Sequence, residues 1–319
     1  MIEIRNVSKR YGAKYAVKGI SFSARKGDVL GFLGRNGAGK STTMNMITGY
    51  IPITEGTITL DGYDVVKDPF ECRQRIGYLP EIPPLYMDMT VEEYLRFCCE
   101  LRQVRSSMRT KHVKDLLELT GLQDMRSRLI RNLSKGYKQR TGIAQALAGN
   151  PDVIILDEPT VGLDPTQMIG IRQLVRDLKE DHTVILSSHI LSEIEEVCTR
   201  VVILNQGRIV LEDTMEGLRG ENSGSFRVRV AADEETACRV LTACPEVKRM
   251  EKEPDGLFRI TLGSAKDSAE RLFWYLSEQK CPLLLLSPEQ ESLEERFLRI
   301  TRDDLFMNEE KNAGKEEKA

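Results

Sequence analysis

No stretch of this chain stays apolar for the roughly 18–20 residues that a membrane-spanning helix requires. The Leu283–Leu286 burst is only strand-sized. No cleavable leader is apparent, because the opening residues MIEIRNVSKRYG interleave charged and apolar side chains. The expectation is a chain that crosses no membrane itself and meets one only through another protein. A basic excess is missing as well. Lys and Arg number 46 against 49 Asp and Glu, for a net charge of −3. General electrostatic binding to nucleic acid needs a basic face and is disfavoured, although a local patch stays possible. Cysteines with metal-site spacing are also absent. The seven cysteines (Cys72, Cys98, Cys99, Cys198, Cys238, Cys244 and Cys281) are odd in number, scattered, and without a C-x-x-C. Free, buried thiols in a reducing compartment are expected, not disulfides or a metal site. No internal repeat is evident.

What the chain does have is a complete G-x-x-x-x-G-K-[ST] motif. It comprises Gly34, Arg35, Asn36, Gly37, Ala38, Gly39, Lys40 and Ser41, with Thr42 continuing the helix start. Glycines let a backbone wrap closely around a bulky polyanion, and their N–H groups form an anion nest at a helix N-terminus. In such a loop Lys40 reaches the β- and γ-phosphates of a nucleoside triphosphate, and the Ser41 hydroxyl ligates Mg²⁺. The context suits the motif. Val29–Leu33 reads as a buried strand, and residues 41–48 begin a helix with Met44 and Ile47 on one face. Downstream, Val153–Leu156 is a second buried strand that ends in Asp157 and Glu158. Asp157 suits a direct or outer partner of Mg²⁺, and Glu158 suits a group that polarises water beside the γ-phosphate.

The remaining pattern divides the chain. Alternating residues before 34 and around 56–60 read as strands. Residues 91–149 change to helical spacing, with stripes Val91/Tyr94/Leu95/Cys98 and Val113/Leu116/Leu117/Leu119. A helix is expected over 169–179, a strand over 183–186, a helix over 190–198, and two strands flanking Asn205-Gln206-Gly207. Residues 220–224 read as a linker. Beyond them the order β-α-β-β-α-β, from 226 to 286, is ferredoxin-like. An amphipathic helix (292–300) and a polar, disordered tail follow.

A third motif carries a resemblance. Leu133-Ser134-Lys135-Gly136-Tyr137, continued by Gln139-Arg140, resembles the LSGGQ signature of the ATP-binding subunits of ABC transporters. Lys135 replaces a glycine and Tyr137 a glutamine. Glu158-Pro159-Thr160 leads into Val161-Gly162-Leu163-Asp164, which is similar to the family's D-loop. Ser187-Ser188-His189 stands where the family has its switch histidine. Tyr11 stands where an aromatic stacks on adenine, or is an ordinary turn tyrosine. Glu81 stands where the family has a glutamine that ligates Mg²⁺ and the attacking water.

The resemblance implies an α/β P-loop NTPase of ABC type: a mixed sheet core, an antiparallel β subdomain and a helical subdomain, followed by the small α+β ferredoxin-like domain. The implied boundaries are 1–220 for the ATPase, with the helical part at about 82–149, then 221–303 and a tail at 304–319. ATP and Mg²⁺ are the implied ligands, and ATP hydrolysis coupled to transport the implied activity. Glu158 and His189 are the implied catalytic pair. Gly34–Thr42, Tyr11, Ser134 and Gly136 would bind nucleotide, and Ser41, Asp157 and Glu81 would hold the metal. Two subunits, identical or paralogous, would sandwich ATP on a separate membrane permease at the cytoplasmic face. Pro83–Met87 are the candidate contact with that permease, and the C-terminal extension resembles exporter-type subunits. The alternative is a soluble ABC ATPase acting on nucleic acid or ribosomes. The basic cluster Arg102, Arg105, Arg109, Lys111 and Lys114 is the one feature that would serve it.

Overall fold

The computed structural model describes residues 1–220, 225–263 and 267–288, and the chain divides into two compact units, Met1–Met215 and a second beginning at Glu216. The helix expected at 292–300 and the tail lie outside the described residues.

The first unit opens with β1 (Ile2–Tyr11) and β2 (Lys14–Ala24), an antiparallel hairpin turning at Gly12. Then come β3 (Val29–Leu33), α1 (Lys40–Ile47), β4 (Glu55–Leu60) and the short β5 (Tyr63–Asp64). Strands β2-β1-β4-β5 form one antiparallel sheet. Alternation along β1 and β4 turns Ile2, Ile4, Ile58 and Leu60 inward, all of them buried. Next are α2 (Pro69–Arg75), β6 (Ile76–Leu79) and three longer helices, α3 (Val91–Leu101), α4 (Ser106–Leu119) and α5 (Lys135–Leu147). The unit ends with β7 (Val153–Asp157), α6 (Pro165–Leu178), β8 (Thr183–Ser188), α7 (Leu191–Val197), β9 (Arg200–Asn205) and β10 (Arg208–Thr214), and α8 (Met215–Gly220) follows. A six-stranded sheet has the order β10-β9-β3-β8-β7-β6, parallel except for the β9–β10 hairpin. Every residue of β3, β7 and β8 is buried. That explains their unbroken apolar runs: a parallel strand covered on both faces has no polar side to alternate with. The two sheets share one core, in which Phe22 of β2 meets Phe32 of β3 edge-on at 4.8 Å.

The helical stripes need one correction. Val91, Tyr94, Leu95 and Cys98 are buried, as are Val113, Leu116 and Leu117, but Leu119 is exposed. Thr120 takes the inward place instead, with its hydroxyl donating to Leu116 O. Helix α3 starts at a capping box, where Thr90 and Glu93 satisfy each other's backbone N–H. Helix α6 begins at Pro165, four residues before the apolar pattern does, because the Asp164 carboxylate accepts from Gln167 N at 2.9 Å and caps it. The basic cluster at the junction of α3 and α4 is not one free face. Arg102 donates to the carbonyls of Ile76 and Arg73, and Arg109 to Val104 O and the Glu100 carboxylate.

All seven cysteines are unpaired, and only Cys238 is exposed. Burial pushes the Cys72, Cys98 and Cys99 thiols up to about 11, which keeps them protonated and unreactive near neutrality. Among the described residues no helix is long and apolar enough to cross a membrane.

The second unit contains β11 (Ser225–Val230), α9 (Glu234–Ala243), β12 (Val247–Lys252), β13 (Phe258–Leu262), α10 (Ser268–Glu278) and β14 (Leu283–Pro288). Its antiparallel sheet runs β12-β13-β11-β14, the ferredoxin-like order. Val228, Phe258 and Ile260 on one face meet Leu241 of α9 and Leu272 and Leu276 of α10.

Strand β6 is the edge of the parallel sheet and lies close against α5. A Cβ at Gly77 would collide with the Ala146 carbonyl oxygen and lie 2.9 Å from the Pro151 ring. Backbone cannot yield as a side-chain tip can. Gly77→Ala is therefore expected to destabilise the first unit by about 2–3 kcal/mol, the cost of overpacking a closed core, read as a lower midpoint of urea unfolding.

Candidate active site

The site is built by strand register. Strand β3 pairs with β8 so that Leu33 faces Ser188, and β8 pairs with β7 so that Ser187 faces Asp157. Three adjacent parallel strands thus finish level. The next residues along each are the phosphate loop, Glu158 and His189, and ligands of parallel sheets sit at such carboxyl ends.

The loop enters α1 through Gly39, which has φ 111° at the N-cap, where a Cβ would stand 2.9 Å from Ala16 O. Only glycine suits that combination of backbone and space. No side chain caps α1, and its first turn carries no acid, so its N-terminus is left for an anion. Lys40 is 6% exposed; its Nζ donates to Gly34 O at 2.7 Å and lies 3.2 Å from Glu158 Oε1. The other oxygen, Glu158 Oε2, is 2.8 Å from His189 Nδ1. A buried carboxylate needs such partners, since unpaired burial of a charge is costly. Glu158 itself has φ 50°, an uncommon conformation for a non-glycine residue, and its N–H donates to Ser187 Oγ at 2.9 Å and is 3.2 Å from Ser187 O. Ser187 Oγ in turn donates to Asp157 Oδ1. One hydroxyl therefore fixes both acids, Asp157 through its side chain and Glu158 through its backbone.

Around these groups is a cavity of about 430 Å³, lined by Arg35, Asn36, Gly37, Gly39, Lys40, Ser41, Thr42, Glu81, Glu158 and His189, together with Ala16 and Val161. It has the size of a small-molecule site. Ser41 and Glu81 line it, and Asp157 is buried at the end of the adjoining strand. Hard oxygen donors of this kind suit Mg²⁺, which binds through few protein groups and takes the rest of its octahedron from water and phosphate. No cluster of three or more His, Cys, Asp or Glu that could hold a metal occurs among the described residues.

Not every expected residue is gathered here. Tyr11 ends β1, 54% exposed with Lys9 Nζ 5.0 Å above its ring, and it does not line the cavity, whereas Ala16 does. Ser134 caps α5, accepting from Tyr137 N at 3.4 Å. Gly136 and Tyr137 line a separate cavity of about 350 Å³ with Arg140 and Gln167. The Lys135 side chain lies over Gly162, in the loop between Glu158 and α6. Sequence reading missed Ser187 as the link between the two acids. The only available signal was its place in β8, since the bond depends on pairing across the sheet. It also missed Tyr78, whose hydroxyl donates to Asn45 Oδ1 at 3.1 Å beneath α1 and whose pKa is pushed up by burial and then by Asp157.

Comparison with known proteins agrees with this geometry. Residues 17–161 match the family described as ABC transporter. The linearmycin resistance ATP-binding protein LnrL of Bacillus subtilis is 38% identical over 231 residues, 72% of this chain and 74% of that one. The bacitracin transport ATP-binding protein BcrA of Bacillus licheniformis is 33% identical over 304 residues, 94% of this chain and 97% of that one. Among solved structures, an ATP-binding subunit of an ABC transporter superposes with TM-score 0.63 at 31% identity, over 69% of this chain and 92% of that one. The dimeric cassette MJ0796 in a post-hydrolysis state with ADP and Pi gives TM-score 0.62 at 27% identity, over 67% and 99%. The phosphate loop, the level strand ends and these relatives together place the chain in the ABC transporter family, as an ATP-binding subunit whose activity is ATP hydrolysis coupled to transport.

Proposed function

We propose that this subunit powers an exporter by ATP-driven dimerisation of two such subunits on a separate membrane permease, at its cytoplasmic face. The carrying observation is the division of the nucleotide-binding residues. Lys40, Ser41, Glu81, Glu158 and His189 share one cavity, while Ser134 and Gly136 stand outside it at the start of α5. A second copy, or a paralogous subunit, would bring its Ser134 and Gly136 to the open side of the phosphates. The dimeric relative makes such an arrangement reasonable. Outward transport draws support from names that speak of resistance and of export, the latter for the Nod factor export ATP-binding protein I of Burkholderia orbicola, 35% identical over 239 residues. The named relatives that speak of transport favour this reading over action on nucleic acid or ribosomes, and part of the basic cluster that would serve the latter is tied to neighbouring carbonyls.

The chain's own groups suggest the sequence of events. Lys40 Nζ lies 3.2 Å from Glu158 Oε1. A triphosphate entering the loop draws the Lys40 ammonium toward its β- and γ-oxygens. Glu158 then keeps His189 as its partner and is free to accept a proton from water aimed at the γ-phosphate. His189, at the cavity wall, holds that phosphate. Ser41, Asp157 and Glu81 would hold Mg²⁺, which when bound neutralises phosphate charge. Tyr11 serves as the adenine platform in this reading.

In the Pro83–Met87 patch expected to meet the permease, Pro84, Tyr86 and Met87 are exposed. Leu85 is buried, and Tyr86 packs on Tyr94 and Phe97 at 5.8 and 5.4 Å. A larger hollow of about 580 Å³ lies where α3 meets the sheet core, lined by Tyr50, Phe70, Leu101, Arg73 and Arg102 among others. Tyr50, Phe70 and Leu101 are exposed there, and exposed apolar residues gathered at a hollow mark a partner site. We place the permease contact in this hollow.

Three measurements test the reading. Lys40→Ala is expected to weaken ATP binding by about 10- to 100-fold, the worth of a bond to a charged group, in a fluorescent-nucleotide titration. Glu158→Gln removes the carboxylate that competes for Lys40 and the proton acceptor together. It is expected to bind ATP at least as tightly as the parent, to lose on the order of 10²- to 10⁴-fold in turnover, and to run as a dimer by light scattering with ATP. Normal turnover in that variant would remove Glu158 from the mechanism. Glu81→Gln swaps a carboxylate for a weaker amide ligand and is expected to raise the Mg²⁺ concentration for half-maximal hydrolysis by about tenfold; an unchanged Mg²⁺ dependence argues against Glu81 as a ligand.

A further inference from the structure

A buried acid outside the cavity shapes the turn that presents His189. Glu193, in α7, is 2% exposed, and its Oε2 accepts from Ser188 Oγ at 2.7 Å. The same hydroxyl accepts from Ile190 N at 3.0 Å. Ser188 and Ile190 bracket His189, so one hydroxyl, held by one carboxylate, closes the turn on which the histidine stands. The histidine needs this support. Its side chain is 43% exposed, and among the described residues its polar contact is the one to Glu158. Helix α7 supplies a firm anchor: Ile194 is fully buried, and it packs so closely on Gly31 of β3 that a Cβ there would stand 2.8 Å from it. Strand β3 carries the phosphate loop, so Glu193 ties the His189 turn to the same scaffold.

The other carboxylate oxygen, Glu193 Oε1, is buried and has no hydrogen-bond partner among the described residues. Leaving a buried acceptor unpaired costs free energy, and a leucine would fill the space without that cost. The carboxylate's one bond is charge-assisted and correspondingly strong.

We infer that Glu193 is a positioning residue for hydrolysis, acting through Ser188 to hold His189 against Glu158 and the γ-phosphate. The inference rests on the proposed role of His189. It assigns Glu193 to the turnover step, where geometry is exacting, and gives it no part in nucleotide capture.

The test is steady-state ATP hydrolysis by the full chain, with kcat and KM measured for Glu193→Ala, Glu193→Gln and His189→Ala. Glu193→Ala is expected to lower kcat at least about tenfold with KM changed less than about threefold, and Glu193→Gln, which keeps an acceptor for Ser188, to recover most of the loss. Parental turnover in Glu193→Ala overturns the inference. So does a loss expressed in KM, or a Gln variant no better than Ala. If Glu193→Ala does not fold, Ser188→Ala removes the bridging hydroxyl with little change in volume and is judged by the same kcat and KM criteria. His189→Ala separates the two ideas. Parental turnover there defeats the reading of His189 and this inference with it. Lost turnover there beside parental turnover in Glu193→Ala defeats this inference alone.

Discussion

The register of three parallel strands is the constraint on which the rest depends. Strands β3, β8 and β7 are hydrogen-bonded side by side and end within a residue of one another. Parallel pairing buries all three on both faces, so none can slip without moving apolar side chains out of the core. Whatever follows each strand is therefore delivered to one place. The phosphate loop lies more than a hundred residues before Glu158 and His189 in the sequence, yet Lys40 meets Glu158, and Glu158 meets His189, within hydrogen-bond distance.

That meeting puts opposite charges in a confined space. Lys40 and Glu158 are both nearly inaccessible to water, and neither would be tolerable there alone. Paired, the two neutralise each other. In the proposed mechanism an incoming triphosphate, with more negative charge than one carboxylate, displaces it. Recognition and activation would in this way be the two halves of a single exchange of partners. Ser187 restrains Asp157 and the Glu158 backbone without engaging the Glu158 carboxylate.

The strongest local patterns were legible. A loop that must avoid Cβ atoms, strands buried on both faces and helices with one apolar stripe each impose short-range rules on residue choice, and Gly39, Val153–Leu156 and Val91–Cys98 obey them. The β-α-β-β-α-β order of the second unit could be read for the same reason. Departures occurred where tertiary contact overrode pattern. Leu119 fits a helical stripe but faces solvent, because α4 ends there and Thr120 turns inward. Helix α6 starts before its apolar residues because Asp164 caps it. The short α2, β5 and β6 carry too few residues to show a period.

At the site, residue types and spacing along the chain pointed to the phosphate loop, Asp157 and Glu158, and the family resemblance pointed to His189, because each motif is contiguous and its chemistry is local. Which of them touch, and through what, was decided by the folded chain alone. The Ser187 bridge, the Lys40–Glu158 pair and the Glu193–Ser188 turn each join residues through strand pairing or the packing of α7 on β3, distances that no linear pattern encodes. The separation of Ser134 and Gly136 from the phosphate cavity is of the same kind. The sequence by itself determined which chemical groups are present and the order of the elements that carry them. Only the tertiary structure decided that one set closes around a cavity while the other stands apart, because hydrogen-bonded register and core packing set positions in space.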